Sequence, residues 1–167
     1  YEADGVHPID KFQWPSNPGN AVSSERVAMG GTLDTDENWE ASSCASGSSP
    51  GLENCVSAST SGPTVSDLYG SLVITEVMSN AIVESTGEFV ELYNAGSTDI
   101  DLLYYVLYDG DAVDTIFGFS DPYDTILGAG EYAVILDSGY ASEYTIPAGT
   151  LLLVTDDATI GSGLATN

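Results

Sequence analysis

The stretch Leu72–Asn94, LVITEVMSNAIVESTGEFVELYN, decides the fold of this chain. Two runs within it, Leu72–Met78 and Glu88–Tyr93, alternate apolar and polar residues around a polar connection. Alternation with a period of two is typical of half-buried β-strands. Further short strand-like runs separated by Gly, Asp, Asn and Pro turn signals follow at Asp101–Leu107, Ala133–Asp137 and Leu151–Thr155. The sequence therefore predicts an all-β sandwich of short strands.

Composition and charge limit the function further. The chain has 167 residues, of which 43% are hydrophobic, so it can bury one core. It carries 26 acidic residues against only two Lys and Arg, which gives a formal net charge of −24. Such a field repels nucleic acid and anionic membranes, and no apolar run is long enough for membrane insertion. Three interpretations of the acidity stay open: solubility, calcium binding, and recognition of a basic partner.

The two cysteines, Cys44 and Cys55, lie in a loop rich in Gly, Ser and Pro. Two closely spaced cysteines without further Cys or His nearby favour a local disulfide over a metal site. A disulfide implies an oxidising compartment, so an extracellular or cell-surface location is predicted.

Catalytic motifs are missing from the sequence. His7, Lys11 and Arg26 are the only residues of their types. Neither a nucleophile paired with a base nor a nucleotide-binding fingerprint is present, so no enzymatic activity and no certain cofactor are expected. With so few cations available, Arg26 is expected to neutralise a buried or clustered acid.

Calcium is the one plausible ligand, because several carboxylates alternate within short turns. None of these clusters fits the twelve-residue EF-hand loop, and for each of them a solvated acidic turn is the simpler interpretation. The candidate ligands are Asp34, Asp36 and Glu37 in one cluster and Asp109, Asp111 and Asp114 in a second, with Asp156 and Asp157 as a third group.

The strand-like runs carry a recurring family pattern. It comprises Ile74, Glu76, Val77 and Met78, then GEFVELYN over residues 87–94, then Gly96, Ile100, Asp101, Leu102 and Tyr105, and finally Leu127, Gly130, Tyr132 and Val134. This pattern resembles the lamin-tail domain family, in a bacterial or archaeal extracellular form. The resemblance implies an immunoglobulin-like β-sandwich.

The acids and the asparagine of this pattern are interpreted as structural residues. Alternation sends Phe89, Glu91 and Tyr93 to one face of a strand, so an acid such as Glu91 needs hydrogen bonds if it is buried. Asn94 suits a turn, and Asp101 suits capping of the next one. The same structural interpretation covers Glu76 and Glu88.

The usual ending of such domains resembles residues that here precede the core. These residues are Asp4, Gly5 and Asp10, then Ser24, Glu25 and Arg26, then Trp39, and finally Pro50, Gly51 and Asn54. The predicted organisation is a closing segment over residues 1–55, a Ser/Thr/Gly/Pro linker over 56–69 and a core over 70–167. The order fits a piece of a tandem array, a circular permutant, or a segment donated to a neighbouring molecule.

Exposed strand edges recruit strands, and a contact that does not close produces a filament. The preferred hypothesis is therefore a non-enzymatic extracellular structural subunit that assembles head-to-tail with copies of itself. The alternative is an accessory binding module, with or without calcium as a stabilising ligand, from a larger secreted hydrolase or cell-surface protein.

Overall fold

The structure is a computed structural model and describes residues 9–10, 12, 16–28, 38–56, 71–110, 112–161 and 163–164. Its regular elements are almost all strands. They are β1 (Ser24–Arg26), β2 (Trp39–Ala41), β3 (Leu72–Met78), α1 (Glu84–Gly87), β4 (Phe89–Asn94), β5 (Ile100–Asp101), β6 (Val106–Tyr108), β7 (Val113–Gly118), β8 (Ile126–Leu127), β9 (Tyr132–Leu136) and β10 (Leu151–Thr155).

Eight of the strands form one sheet in the order β2-β1-β3-β4-β9-β10-β7-β6, and β5 pairs with β8 in a second, two-stranded sheet. Neighbouring strands are antiparallel except β9 and β10, which run parallel. The one α-helical element among the described residues is the single turn α1 between β3 and β4. The all-β, immunoglobulin-like fold class predicted from the sequence is confirmed.

Each face of the large sheet carries its own apolar core. On one face, Val90, Ile135 and Leu153 pack with Leu102 and Leu127 from the small sheet and its approach, and with Ile160 and Leu164 from the C-terminal segment. On the other face, Met78, Phe89, Val134 and Leu136 pack beneath Tyr140, Tyr144 and Ile146. The alternation predicted for residues 89–93 is confirmed, because Phe89 and Val90 lie in different cores.

Strand β3 departs from strict alternation at Thr75. Ile74 lies opposite Leu92 of β4, but Glu76 lies opposite Glu91, so the register shifts at this β-bulge. A bulge inserts one extra residue and reverses the side-chain alternation beyond it. As a result Ile74 and Val77 both contribute to the first core, whereas Glu76 faces the opposite side beside Glu91.

The single strand predicted at Asp101–Leu107 is wrong. The chain forms β5 and β6 with a turn between them, in which Tyr104 has a φ of 65°. A left-handed residue cannot continue a strand. Two further strands, β7 and β8, were not expected. In β7, the sequence VDTIFG has the acid Asp114 at a buried position. The alternation of apolar and polar residues that would indicate a strand is therefore not visible in the sequence.

The described part of the N-terminal segment, within residues 9–56, packs on the core of the same chain. Strand β1 pairs with β3, so Glu25 lies opposite Glu76. Ile9 and Phe12 pack against the first apolar core, and Phe12 contacts Trp39 edge to face at 4.5 Å between ring centroids. Most of the predicted linker, residues 57–69, lies outside the described residues, and the predicted segment boundaries stay predictions.

We expect Leu153→Ala to lower the free energy of unfolding by about 2–5 kcal/mol, because this side chain is fully buried between β9 and β7 and its loss leaves a cavity. Urea denaturation followed by circular dichroism measures the change. The matched control is Leu52→Ala, at a leucine that is 51% exposed, which should change stability by less than about 0.5 kcal/mol. Equal effects of the two substitutions would contradict this assignment of the core.

Candidate functional site

Three glutamates stand side by side across neighbouring strands at the junction between the N-terminal segment and the core. Glu25 of β1 lies opposite Glu76 of β3, and Glu76 lies opposite Glu91 of β4. All three side chains are completely buried, each with 0% exposure. This set, the glutamate row, is the most unusual chemical feature of the described residues, because carboxylates are almost never fully buried without partners.

Hydroxyl and backbone N–H groups satisfy the glutamate row. The Ser49 hydroxyl lies within hydrogen-bond distance of both Glu25, at 3.0 Å, and Glu76, at 3.1 Å, and thereby bridges two strands. The backbone N–H of Ser49 also donates to Glu76, at 2.9 Å. Further donors are the hydroxyls of Ser23, Ser42 and Thr75 and the backbone N–H groups of Gly51 and Val56.

Positive charge lies on the other side of the sheet. Arg26 follows Glu25 in β1, and its Nη2 donates to Asp10 at 2.7 Å in a buried ion pair. Its guanidinium also stands 4.8 Å from the centroid of the Trp39 ring, which is a cation–π distance. The expectation that Arg26 neutralises a buried acid is confirmed, and that acid is Asp10.

Protonation lowers the cost of burying two members of the glutamate row. Burial, with a smaller contribution from the neighbouring Glu25, raises the pKa of Glu76 to about 7. Burial also raises the pKa of Glu91 well above its ordinary value, with added repulsion from Glu76 and Glu25. Burial likewise raises the pKa values of Tyr132 and Tyr144, which also feel the charges of Glu91 and Glu76, so neither ring is ionised at neutral pH.

A disulfide-closed loop holds the donors of the glutamate row in place. Cys44 and Cys55 form the predicted disulfide, and residues 48–51 of the loop between them are buried. Asn54 Nδ2 donates to the Arg26 carbonyl at 3.0 Å and to the Thr75 carbonyl at 2.8 Å, so it joins β1 to β3 beside the bulge. The loop therefore ties the segment to the core as well as satisfying the acids.

Gly51 is required at the point where this loop meets the core. It has a φ of 81°, and a Cβ there would lie 2.5 Å from the Thr150 Oγ1 and 3.0 Å from the Pro147 Cδ. The close approach lets the Gly51 N–H reach Glu91. The Pro-Gly pair predicted to belong to a closing segment thus contacts β4 directly.

A second group of buried acids fixes the C-terminal segment. Glu88 accepts the N–H of Leu164 at 3.0 Å, and Asp137 accepts that of Ile160 at 3.2 Å. Asp114 accepts the N–H of Gly161. Burial raises the pKa of all three carboxyls, that of Glu88 to about 7. The sequence predicted a structural role for Glu88 but gave no signal for Asp137.

The remaining predicted structural residues form turns. The Asn94 side chain accepts the Gly96 N–H and donates to the carbonyls of Thr98 and Leu127. Asp101 Oδ1 accepts the Leu103 N–H at 3.0 Å, so the predicted cap of that turn is confirmed.

The predicted calcium ligands fall into two sets. Asp109 and Asp114 lie together with Asp156 and Asp157, since all three other acids raise the Asp114 pKa. Asp34, Asp36, Glu37 and Asp111 lie outside the described residues. Within the described ranges, ligand atoms approach to metal-binding distances only at Glu25, Cys44 and Cys55, whose sulfurs are joined in the disulfide. Calcium binding by the Asp clusters stays a prediction.

Comparison with known protein families gives one match. The model of the Lamin Tail Domain covers residues 66–166. The chain belongs to the lamin tail domain family. This family is immunoglobulin-like and non-catalytic, which supports the expectation that the module is not an enzyme. No curated protein and no solved structure matches the chain.

The family match begins after β1 and β2, so the glutamate row joins the lamin tail domain to residues that precede it. The match includes Glu76 and Glu91 but does not extend to Glu25 or the disulfide loop, so the predicted closing segment over residues 1–55 stays a prediction. Within the described part of the chain, no helix is both long and apolar enough to cross a bilayer.

We expect the melting temperature to fall as pH rises from about 4.5 to about 8. Glu76 and Glu88 have an ordinary pKa of 4.5 that folding raises to about 7, so the folded state holds more protons and loses stability as they leave. Glu91→Gln mimics the protonated acid, with an amide that still reaches Gly51 and Thr75. This variant should flatten the pH profile and be more stable than the wild type at pH 8, as measured by differential scanning calorimetry.

The control is Glu40→Gln, which removes the same charge from an exposed position on β2. Its pH profile should run parallel to that of the wild type. A Glu91→Gln profile with the wild-type slope would show that this carboxyl is not protonated in the folded protein.

We expect added NaCl to raise the melting temperature, because a net charge of −24 opposes compaction and salt screens it. If the Asp109 cluster binds calcium, CaCl₂ should raise it further at equal ionic strength, and Asp109→Asn should remove that extra rise. Asp121→Asn, at an exposed acid elsewhere, serves as the control. Differential scanning fluorimetry measures the shifts in melting temperature. Identical melting curves in NaCl and CaCl₂ at equal ionic strength would show that the cluster does not bind calcium.

Proposed function

We propose that this chain is an extracellular structural module that assembles head-to-tail by exchanging its N-terminal segment between copies. The observation that carries the proposal is the junction at the glutamate row, where one segment supplies the partners of buried acids on another. The non-catalytic character of the family agrees with a structural role.

The junction has the features of a specific interface. Strand β1 adds to β3 by antiparallel pairing, and Ser49 and Gly51 donate to the carboxylates of β3 and β4. Asp10 accepts hydrogen bonds from the Arg26 Nη2 at 2.7 Å and from the Ile74 N–H at 2.8 Å, so it joins the segment to β3 on the face opposite the glutamate row. Strand addition supplies affinity through the main chain, and the buried polar pairs fix its register.

The two sides of the junction are connected by the chain at residues 57–70 alone. Fourteen residues span up to about 50 Å when extended, so the same contacts are reachable within a chain or between two chains. Exchange of an identical segment costs little free energy, because the junction between two copies has the same hydrogen bonds and packing as the junction within one copy. An exchange that passes from copy to copy without closing gives a filament.

The location follows from the disulfide and the charge. A disulfide in the loop that holds the junction persists in an oxidising environment, outside the cytoplasm. The charge of −24 argues against partners such as nucleic acid and anionic membranes, and favours assembly at high ionic strength, where repulsion between copies is screened.

The test is a cysteine pair across the junction. Ser24 and Val77 lie directly opposite each other in β1 and β3, and both are buried. We expect Ser24→Cys with Val77→Cys, refolded and oxidised at high salt, to give a ladder of covalent oligomers on a non-reducing gel. Light scattering and negative-stain microscopy of the wild-type chain should show the corresponding polymers.

The control is Val77→Cys with Val90→Cys, which face each other across β3 and β4 within the core hairpin. This pair should give monomers only. If the junction pair also oxidises to monomers only and the wild-type chain scatters as a monomer, the segment closes on its own chain. That outcome would contradict the assembly proposal and would favour the alternative, an accessory binding module of a larger protein.

A further inference from the structure

An apolar patch lies at the end of the large sheet opposite the glutamate row. Three of its side chains are prominently exposed: Tyr104 by 49%, Tyr108 by 47% and Val113 by 65%. Phe117 stands edge to face with Tyr104, with ring centroids 5.6 Å apart. We call these four residues the aromatic patch. Tyrosine and phenylalanine are among the side chains most enriched at protein interfaces.

Strand register shows that the aromatic patch is one continuous surface. Tyr108 lies opposite Val113, and Val106 lies opposite Thr115, in the pairing of β6 with β7. Phe117 in turn lies opposite Val154 of β10. Directly opposite residues point to the same face of a sheet, so these side chains form a single apolar area across three strands.

The aromatic patch continues the face that carries the second apolar core. There Tyr140, Tyr144 and Ile146 pack over Phe89 and its neighbours, and their contacts extend to Phe119 and Leu152. Beyond those two residues, the side chains of β6 and β7 on this face are exposed or only partly buried. A contiguous exposed apolar area on a charged protein marks an interaction site.

One exposed carboxylate lies beside the aromatic patch. Asp156 Oδ1 accepts the backbone N–H of Thr115 at 2.8 Å, which places this acid beside the middle of β7. Asp109 and Asp157 lie near the buried Asp114, whose side chain faces the opposite side of β7 from Val113 and Phe117. The surface therefore combines an aromatic centre with an adjacent carboxylate on a strongly acidic chain.

This combination selects the occupant. A second copy of the chain would bring another net charge of −24 to an already acidic surface, so the patch is unsuited to self-association. A Lys or Arg side chain gains from the negative charge of the chain, from Asp156 and from stacking on the exposed tyrosine rings. We propose that the aromatic patch binds a segment of another protein in which Lys or Arg alternates with aromatic or aliphatic residues. This proposal does not depend on assembly through the N-terminal segment.

The experiment is a selection from a random peptide library displayed on phage, with the full-length wild-type chain as bait at about 0.15 M NaCl. We expect the enriched peptides to carry Lys or Arg beside apolar residues. The affinities of synthetic copies are then measured for the wild type and for the double variant Tyr104→Asn with Val113→Ser. Asn tolerates the φ of 65° at position 104, and both substitutions leave the net charge unchanged.

The double variant should bind at least about tenfold more weakly, since exposed aromatic anchors dominate such interfaces. Tyr123→Ser removes a tyrosine that is 72% exposed elsewhere and should bind like the wild type. Equal binding to all three proteins would mean general attraction to the acidic surface and would overturn the proposal. So would the absence of enriched peptides, or enrichment of peptides without basic residues. Circular dichroism melts confirm that each variant is folded.

Discussion

The structure depends on keeping three buried carboxyl groups satisfied where two parts of the chain meet. Glu76 and Glu91 belong to the lamin tail domain, but most of their partners come from residues 23–51. A buried carboxyl group without hydrogen-bond partners costs several kcal/mol. We therefore expect the core to be destabilised when no segment supplies the hydrogen-bond donors to Glu76 and Glu91. The glutamate row thus makes the N-terminal segment a necessary part of the fold, whichever molecule provides it.

The β-bulge at Thr75 is what allows this arrangement. With regular alternation, Glu76 would share a face with Leu72 and Ile74, which point into the first apolar core. The extra residue turns Glu76 to the opposite face, where it meets Glu91, and returns Val77 to the core. One backbone irregularity therefore converts a misplaced acid into an organised contact. It also exposes the carbonyl of Thr75 to Asn54, which reinforces the same junction.

The sequence predicted those features that local patterns control. Alternation located β3 and β4, the spacing of Cys44 and Cys55 indicated the disulfide, and the scarcity of cations indicated an ion pair for Arg26. It did not predict the glutamate row, because Ser23 and Glu76 meet across 53 residues of chain and their meeting depends on strand register. The left-handed Tyr104 and the buried Asp114 also left no local signal, and for that reason the break between β5 and β6 and the strand β7 were not predicted.

Charge is organised differently at the two ends of the sheet. At the glutamate row the acids are buried and hydrogen-bonded, and Glu76 and Glu91 are inclined to hold protons, so the junction is less negative than its composition suggests. Beside the aromatic patch, Asp156 is exposed. Two like-charged copies can contact each other only where the charge of the acids is neutralised. A basic protein gains binding free energy only where the acids keep their charge. This difference is the reason why we propose another copy of this chain as the partner of the first surface and a cationic segment as the partner of the second.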